Sequence, residues 1–355
     1  MSQYDYVVYV GRFQPFHVGH LETLNQALEA GKNVIIVIGS ANAAETPVNP
    51  WSALDRQDMI TEVVAQIGND FSALHRVHYI HAEDRLYNMN KWISFVQTKV
   101  EDIAKGGSIA LIGHDKGDNP YSLKNLFPAW GWVDTGAYVK TGSKVVSATK
   151  VRELLFEGHL DYTESNLPPE IYASLQEYVT TPEFTLQQAE YIHIINEEKV
   201  VERTPHGMTF YTTDSLVVQS GHVLLVKRGE HPGKGLWALP GVHVDHNERT
   251  AEASRRALIK ETNLKVPEKV LKGSLEGMEI FDHPDRSLRA RLTQTRARTV
   301  SVAYYYQLDS TQPLPKTVRG GEGIDKAWWF PLSQVRKMRN QLFEDHADII
   351  DFFIG

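Results

Sequence analysis

A chain of 355 residues exceeds the roughly 100–200 residues of one typical core, so two domains are expected. Its net charge of −7 lacks the basic surplus of a nucleic-acid binder, while leaving room for a local positive site that takes an anionic ligand. The absence of cysteine excludes disulfides, zinc–thiolate sites and a cysteine nucleophile.

The opening MSQYDYVVYVGRF runs into a strand pattern with no basic segment followed by an apolar one, so no secretory leader is expected. No apolar run approaches the roughly 18 residues of a spanning helix, which predicts a soluble, cytoplasmic chain with neither membrane nor nucleic acid as a partner. A short apolar run over 6–10, ending in Gly11, predicts a buried strand, and helical spacing of Leu21, Leu24 and Leu28 predicts a helix over 20–30 with Gly31 as its C-cap. A second apolar strand is expected over 34–38. Ser52, with Asp55 three residues on, predicts a capped helix start. Strands over 75–80 and 109–112 and helices over 88–103, 148–157 and 169–179 follow. Repeated strand–helix alternation predicts an open parallel sheet covered on both faces, which binds ligands at the carboxyl ends of its strands.

The pattern changes after about Thr180, where TTPEFTLQQAE predicts a linker. Strands over 214–218 and 223–227, separated by 219–222 with Gly221, read as a hairpin. A helix over 250–262, strands over 300–308 and 327–330, and helices over 332–339 and 345–353 complete a mixed α+β domain.

The segment GRFQPFHVGH, residues 11–20, carries the strongest signal of the first half. A strand ends at Gly11, a loop follows, and a helix begins near Gly19 with His17 and His20 three apart at its start. Unpaired N–H groups and partial positive charge at a helix N-terminus attract phosphate. Imidazoles there can donate to phosphate oxygens, and Gly19 lets a nucleotide approach the backbone. Arg12 and the tight Pro15–Phe16 turn complete an anion-binding loop. An isolated H-x-x-H is more often a pair of ordinary histidines; the strand before it and the helix after it favour phosphate. A second signal is SATKVRELL, residues 147–155. Ser147, Thr149 and Arg152 at a helix start suit the β- and γ-phosphates of ATP, and equally suit a plain N-cap with a solvated arginine.

Together these elements resemble the HxGH nucleotidylyltransferases, and the form GRFQPFHxGH is similar to the archaeal-type nicotinamide mononucleotide adenylyltransferases. The resemblance extends over about residues 4–180. VIGSAN at 37–42 looks like that family's second-strand motif. NPWSALDRQDMI at 49–60 resembles its N-P-F-[ST]-x-x-x-R helix, with Asn49, Pro50, Ser52 and Arg56 matching and Trp51 in place of phenylalanine. EDRLYNMNKWISFV resembles the segment whose tryptophan stacks on nicotinamide, here Trp92, a residue that by type alone reads as helix packing. GHDKGDNPYSLKNLFP at 113–128 fits the loop and helix after the fourth strand. The resemblance implies that the phosphate of nicotinamide mononucleotide attacks the α-phosphorus of ATP in line, giving NAD and pyrophosphate. The nucleophile is already anionic, so catalysis is mostly alignment and charge neutralisation. It further implies His17, His20 and Arg152 as catalytic residues holding the ATP phosphates. Gly11, Arg12, Phe13, Gly19, Asn49, Arg56, Trp92, Gly113, Ser147 and Thr149 would be substrate contacts, and Mg2+ would arrive with ATP.

LPGVHVDHNERTAEASRRALIKETNL, residues 239–264, resembles a Nudix box, G-x5-E-x7-R-E-U-x-E-E-x-G-U, whose glutamates bind Mg2+ around a pyrophosphate. GLWALPG, VVQSGHVLLVKRG and AWWFPLSQV fit around it, and FDHPDRSLRARLTQTRARTVSVAYYY is like the ADP-ribose pyrophosphatase branch, so the resemblance covers about residues 205–355. Glu248, Arg256, Glu261 and Leu264 match. Val242 and Asn263 stand at the glycine positions, and Ala257 and Lys260 at two of the metal carboxylates. Hard divalent cations need clustered carboxylate oxygens. Two readings follow. In one, ADP-ribose is hydrolysed with Mg2+ or Mn2+ on Glu261 and Glu248, helped by Glu279 or Glu322. In the other, which the metal chemistry favours, ADP-ribose or a related dinucleotide is bound without hydrolysis. Nothing resembles the winged helix of Nudix-like regulators.

The expectation is an α/β chain: a Rossmann-like nucleotidylyltransferase parallel sheet in 1–182, a linker in 183–204, and an α+β Nudix fold in 205–355. Its partners are ATP, nicotinamide mononucleotide, NAD and, in the second domain, ADP-ribose, with a homo-oligomer left open. Two alternatives stand beside it. One is a nucleotide sensor with little turnover, against which the intact His17, His20 and Arg152 set argues. The other is a different acceptor, phosphopantetheine or nicotinic acid mononucleotide.

Overall fold

The computed structural model describes residues 3–68, 71–114, 122–136, 147–201, 208–293, 298–315, 320–321 and 323–355. The chain divides into two units, Met1–Gln188 and Ala189–Gly355.

In the first unit β1 (Tyr4–Gly11), β2 (Gly31–Ile38), β3 (Val77–His81), β4 (Ile109–Gly113) and β5 (Gly131–Asp134) pair in parallel in the order β3-β2-β1-β4-β5. Both faces are covered, which is why β2 is an unbroken apolar run: Val34, Ile35, Ile36, Val37 and Ile38 are all fully buried. The strand order reverses between β1 and β4. The carboxyl ends of these two neighbours, Gly11 and Gly113, therefore open the crevice at which such sheets take ligands. The connecting helices are α1 (Val18–Ala30), α2 (Ala53–Ala65), α3 (Met89–Ala104), α4 (Leu123–Leu126), α5 (Ala148–Phe156) and α6 (Pro169–Tyr178).

The expected capping box of α2 is present: Asp55 N–H donates to Ser52 Oγ at 3.2 Å and Ser52 N–H to Asp55 Oδ2 at 2.9 Å. Helix α1 stops at Gly31 as expected, by a different device. Gly31 has an extended backbone and opens β2 directly, and a Cβ there would lie 2.7 Å from Val7 Cγ2, so close strand–strand approach rather than a left-handed cap calls for glycine. The strand expected from His75 begins at Val77, because Ser72–Arg76 is a 3-10 turn.

The segment read as a linker is helical and holds the boundary between the two units. Helix α7 occupies Pro182–Val201, the unit boundary falls inside it, and residues 202–204 lie outside the described set. Phe184, Gln187, Tyr191, Ile194, Glu198 and Val201 are buried at alternating spacings of three and four, a helical stripe. Two of the six are polar, which hides the stripe from hydropathy.

In the second unit β6 (Thr209–Gln219), β7 (His222–Arg228), β8 (Trp237–Ala238), β9 (Gly241–His243), β10 (Leu275–Phe281), β11 (Arg298–Gln307) and β12 (Ile324–Pro331) form a mixed sheet. Its order is β10-β11-β6-β7-β12, with β8 on β7 and β9 on β6. The expected hairpin joins β6 and β7 through Ser220 and Gly221, at φ 48° and 72°, the two left-handed residues of a tight two-residue turn. Helices α8 (Thr250–Thr262), α9 (Glu268–Gly273), α10 (Leu288–Thr293), α11 (Leu332–Val335) and α12 (His346–Ile354) complete it. Alternation along β6 sends Leu216 and Val218 into a core with α11 and α12, and Val217 into a core with α8 and α9. Each such buried side chain contributes about 1.5–3 kcal/mol.

Candidate functional site

The loop leaving β1 is shaped by its apolar residues. Phe13 takes a left-handed backbone (φ 54°), and its ring is buried against Tyr9 and Phe16. A Cβ on Gly11 would come 2.7 Å from that ring, so Gly11 makes room for Phe13. Of the expected substrate contacts, Phe13 thus supports the loop with its side chain and leaves only backbone to face a ligand.

His17 is the N-cap of α1. Its Nδ1 accepts from Gly19 N–H at 3.1 Å and His20 N–H at 3.3 Å, and His20 Nδ1 accepts from His17 N–H at 3.2 Å. The result is a reciprocal capping box made of two imidazoles, stacked with centroids 3.6 Å apart. Because each Nδ1 accepts an N–H, the proton of each neutral ring sits on Nε2. Burial pushes His17 down to about 4, and burial, followed by the charge of His17, holds His20 well below the ordinary imidazole range. At neutral pH the pair therefore offers two oriented Nε2–H donors at a helix N-terminus, an arrangement suited to phosphate oxygens.

Three side chains stitch distant loops around this pair. Arg56, 1% exposed, donates to the carbonyls of Ser52 (3.0 Å), Arg12 (2.7 Å), Gly39 (2.7 Å) and Ser40 (3.3 Å). Burial lowers it to about 10, and its guanidinium is committed to backbone, so it shapes the loops after β1 and β2. Gln14, to which the sequence reading assigned no role, accepts from Trp51 N–H at 3.3 Å and donates to Trp51 C=O at 2.9 Å. Arg152 on α5 donates to the Gln14 carbonyl and to Thr149 Oγ1. Ser147 caps α5, accepting from Lys150 N–H at 3.2 Å. The only sequence signal for Gln14 is its place inside GRFQPFHVGH.

Other expected residues sit around this loop. Arg12 has an exposed side chain, and a Cβ on neighbouring Gly39 would lie 3.7 Å from its Cγ. Asn49 is 2% exposed, and its Oδ1 has no hydrogen-bond partner among the described residues, so it is an unmet acceptor. Gly113 ends β4, where a Cβ would meet the Trp132 ring at 3.3 Å. Trp92 lies in the first turn of α3, half-buried and edge-on to Phe127 at 5.9 Å. No described contact brings Trp92 to the His17–His20 loop. Residues 115–121 of the loop expected after β4 lie outside the described set.

In the second unit the box keeps its scaffold. Glu248 accepts from Arg256 Nε at 3.1 Å, from Arg256 Nη2, and from Asp245 N–H at 2.9 Å, which locks the loop to α8. Glu261 Oε2 accepts from Gly241 N–H at 3.0 Å, and burial raises its carboxyl to about 7. Asn263 ends α8 at φ 50°, supplying the left-handed residue a glycine would otherwise give. Ala257 is fully buried and Lys260 exposed. Glu279 sits exposed on the edge strand β10, and Glu322 lies outside the described residues. Among the described residues no three His, Asp or Glu side chains form a group that could hold a metal ion. The described donor set does not fit the Nudix metals.

A buried ionic cluster that sequence reading missed lies beside it. Arg286 is bidentate to Asp345 at 2.9 Å for both bonds, and Asp214 lies 3.7 Å from Arg286. His346 accepts from Leu239 N–H at 2.8 Å and points Nε2 toward Asp214. The signal was charge within apolar runs, Asp214 before SLVV and His346 before ADII.

Residues 8–153 match the Cytidylyltransferase-like family and residues 209–353 the NUDIX domain. Over 161 residues the chain is 38% identical to the nicotinamide/nicotinic acid mononucleotide adenylyltransferase of Acinetobacter baylyi, covering 45% of this chain and 80% of that protein. It is 40% identical over 91 residues to the nicotinamide-nucleotide adenylyltransferase of Saccharolobus solfataricus, 26% of this chain and about half (51%) of that protein's length. A bifunctional NMN adenylyltransferase/ADP ribose pyrophosphatase from Francisella tularensis, solved with AMP and a manganese ion, superposes with a TM-score of 0.89 at 30% identity, covering 99% of this chain and 98% of that one. Among the described residues no helix is long and apolar enough to cross a membrane.

Proposed function

Because this chain belongs to the nicotinamide mononucleotide adenylyltransferases that carry a C-terminal NUDIX domain, we propose that its first unit transfers the adenylyl group of ATP to nicotinamide mononucleotide. The observation that carries this reading is the imidazole capping box, which presents two neutral Nε2–H donors at the carboxyl end of the central strand. ATP arrives as its Mg2+ complex, a substrate rather than a resident cofactor. His17, His20 and Arg152 bind its phosphates, with Ser147 and Thr149 at the start of α5 beside them. A phosphate oxygen of the mononucleotide attacks the α-phosphorus. The bond from that phosphorus to the bridging oxygen breaks, and pyrophosphate leaves with the electron pair. No proton needs to be removed from the nucleophile, so the protein's share is alignment and hydrogen bonds that strengthen as charge moves onto the leaving group. Arg56 and Gln14 hold the loop that sets this alignment; Trp92 offers an aromatic face to nicotinamide, and Asn49 an acceptor to a polar group of the ligand.

The second unit, on the same proposal, binds ADP-ribose or a related diphosphate nucleotide with little hydrolysis. Ala257 and Lys260 in place of carboxylates support this. One assay tests both halves: purified chain, ATP and Mg2+ with nicotinamide or nicotinic acid mononucleotide in turn, and ADP-ribose hydrolysis with Mg2+ or Mn2+ on the same sample. Rapid NAD formation, lowered by about 100-fold or more in His20→Ala, is the expected result. Preference for the acid or another acceptor sinks the substrate assignment, and brisk ADP-ribose cleavage sinks the binding reading.

A further inference from the structure

Residues three and four apart are neighbours on a helix surface, so position 257 of α8 adjoins both 260 and 261. Here they are a buried alanine, an exposed lysine and a glutamate anchored by Gly241 N–H. The loop at 320–321 seats on the same helix end: Gly321 N–H donates to Glu261 C=O at 3.1 Å, and a Cβ on Gly321 would fall 1.8 Å from Lys260 C=O. This close backbone approach fixes where residues 260 and 261 begin.

Cations gather along β9. At its start Gly241 meets Glu261, whose carboxyl feels Arg228 and Lys260. Two residues on, about 7 Å along a strand, His243 stands edge-on to Phe210 at 5.8 Å. The guanidinium of Arg289 lies 4.9 Å over that Phe210 ring, and Arg228 and Arg289 both act on His243. Arg289 is paired with Glu197 of α7. The strand thus has arginines near both ends, Arg289 balanced by Glu197, with the carboxylates of Glu261 and Asp214 beside Gly241.

We infer that Lys260 takes the place of the divalent cation, so that the second unit holds the diphosphate of a nucleotide through side-chain charge and needs no metal to do so. This rests on the proposed reading of the second unit as a nucleotide binder. An ammonium supplies one charge and three donors at the position where a carboxylate would repel phosphate unless a metal covered it. It has no coordination site on which to activate water, so affinity survives while hydrolysis does not.

Calorimetric titration of ADP-ribose into the full-length chain, in EDTA and then in excess Mn2+, tests it. The expected dissociation constants agree within about threefold, and Lys260→Gln weakens binding in EDTA by about tenfold or more, the effect of one well-placed charge. Lys260→Arg is expected to retain binding. Residue 260 is exposed, so neither variant should fail to fold. Binding that appears only with metal overturns the inference, as does binding in EDTA that Lys260→Gln leaves unchanged. No binding in either condition overturns the underlying reading of the second unit, a separate failure.

Discussion

The two units divide labour among the residues around a helix in opposite ways. In the first, His17 and His20 cap α1 with their Nδ1 atoms, and on the proposed function their Nε2–H groups also bind the ligand, so the same residues would start the helix and serve the chemistry. In the second, scaffold and chemistry are carried by different side chains of α8. Arg256 and Glu248 hold the loop, Asn263 ends the helix and Glu261 ties β9, while Ala257 and Lys260 take no part in these contacts. When folding and function share a residue, losing one loses the other. When they are separate, a fold can keep its scaffold while its chemistry changes, and resemblance across 209–353 does not by itself say what the domain does.

That contrast is most directly broken at His20. His20→Ala is expected to lower kcat/KM for adenylyl transfer by about 100- to 1,000-fold, the usual loss for one preorganised donor, with ADP-ribose binding unchanged. A loss under tenfold removes the double duty claimed for the imidazoles. Next come the buried arginines. Arg286→Ala strands the carboxylates of Asp345 and Asp214 and is expected to cost about 3–5 kcal/mol in denaturant unfolding of the second unit. Arg56→Ala strands neutral carbonyls and is expected to cost the first unit less, about 2–3 kcal/mol. The reverse order would mean that the loops around His17 depend on Arg56 more than its hydrogen bonds suggest.

The units are also expected to answer pH in opposite senses. His17 falls from its ordinary 6.5 to about 4 in the fold, so the unfolded chain binds the extra proton between those values. Its contribution is complete above pH 6.5 and is lost as pH falls through 4. Glu261 and Glu344 rise from 4.5 to about 7, so the folded chain binds the extra protons, and their contribution is complete below pH 4.5 and lost as pH rises through 7. Each group is worth on the order of 3 kcal/mol across its window. Thermal unfolding followed at pH 5 and pH 7.5 should therefore weaken the first unit at the lower value and the second at the higher. A parallel shift of both would show that other groups dominate. The smallest effect is expected at Asn263→Gly, which relieves a left-handed asparagine and should gain under about 1 kcal/mol in unfolding; a clear loss would mean that the Asn263 side chain does more than tolerate its backbone.

Much was legible before any tertiary structure. The strand–helix alternation, the α2 capping box, the β6–β7 hairpin and the helix start at His17–His20 all follow from residues within a turn or two of each other. Hydrogen bonds at such short range depend on spacing, and spacing is what a sequence states. Helix α7 was missed because Gln187 and Glu198 lie on its buried stripe, and burial of a polar group is decided by what packs on it. Short strands such as β5 and β9 were missed because four and three residues carry too little pattern to separate strand from loop. Arg56 resembled a phosphate contact until the fold set it against Arg12 C=O, 44 positions away, and Gln14 gained a role only when Arg152, 138 positions away, reached its carbonyl. The sequence by itself determined which residues could start, cap and turn each element, because those choices are made between chain neighbours. Which loops meet at the end of β1, and so which backbone carbonyls Arg56 and Arg152 reach, was decided only by the order β3-β2-β1-β4-β5, since strand order brings together residues that have no local claim on one another.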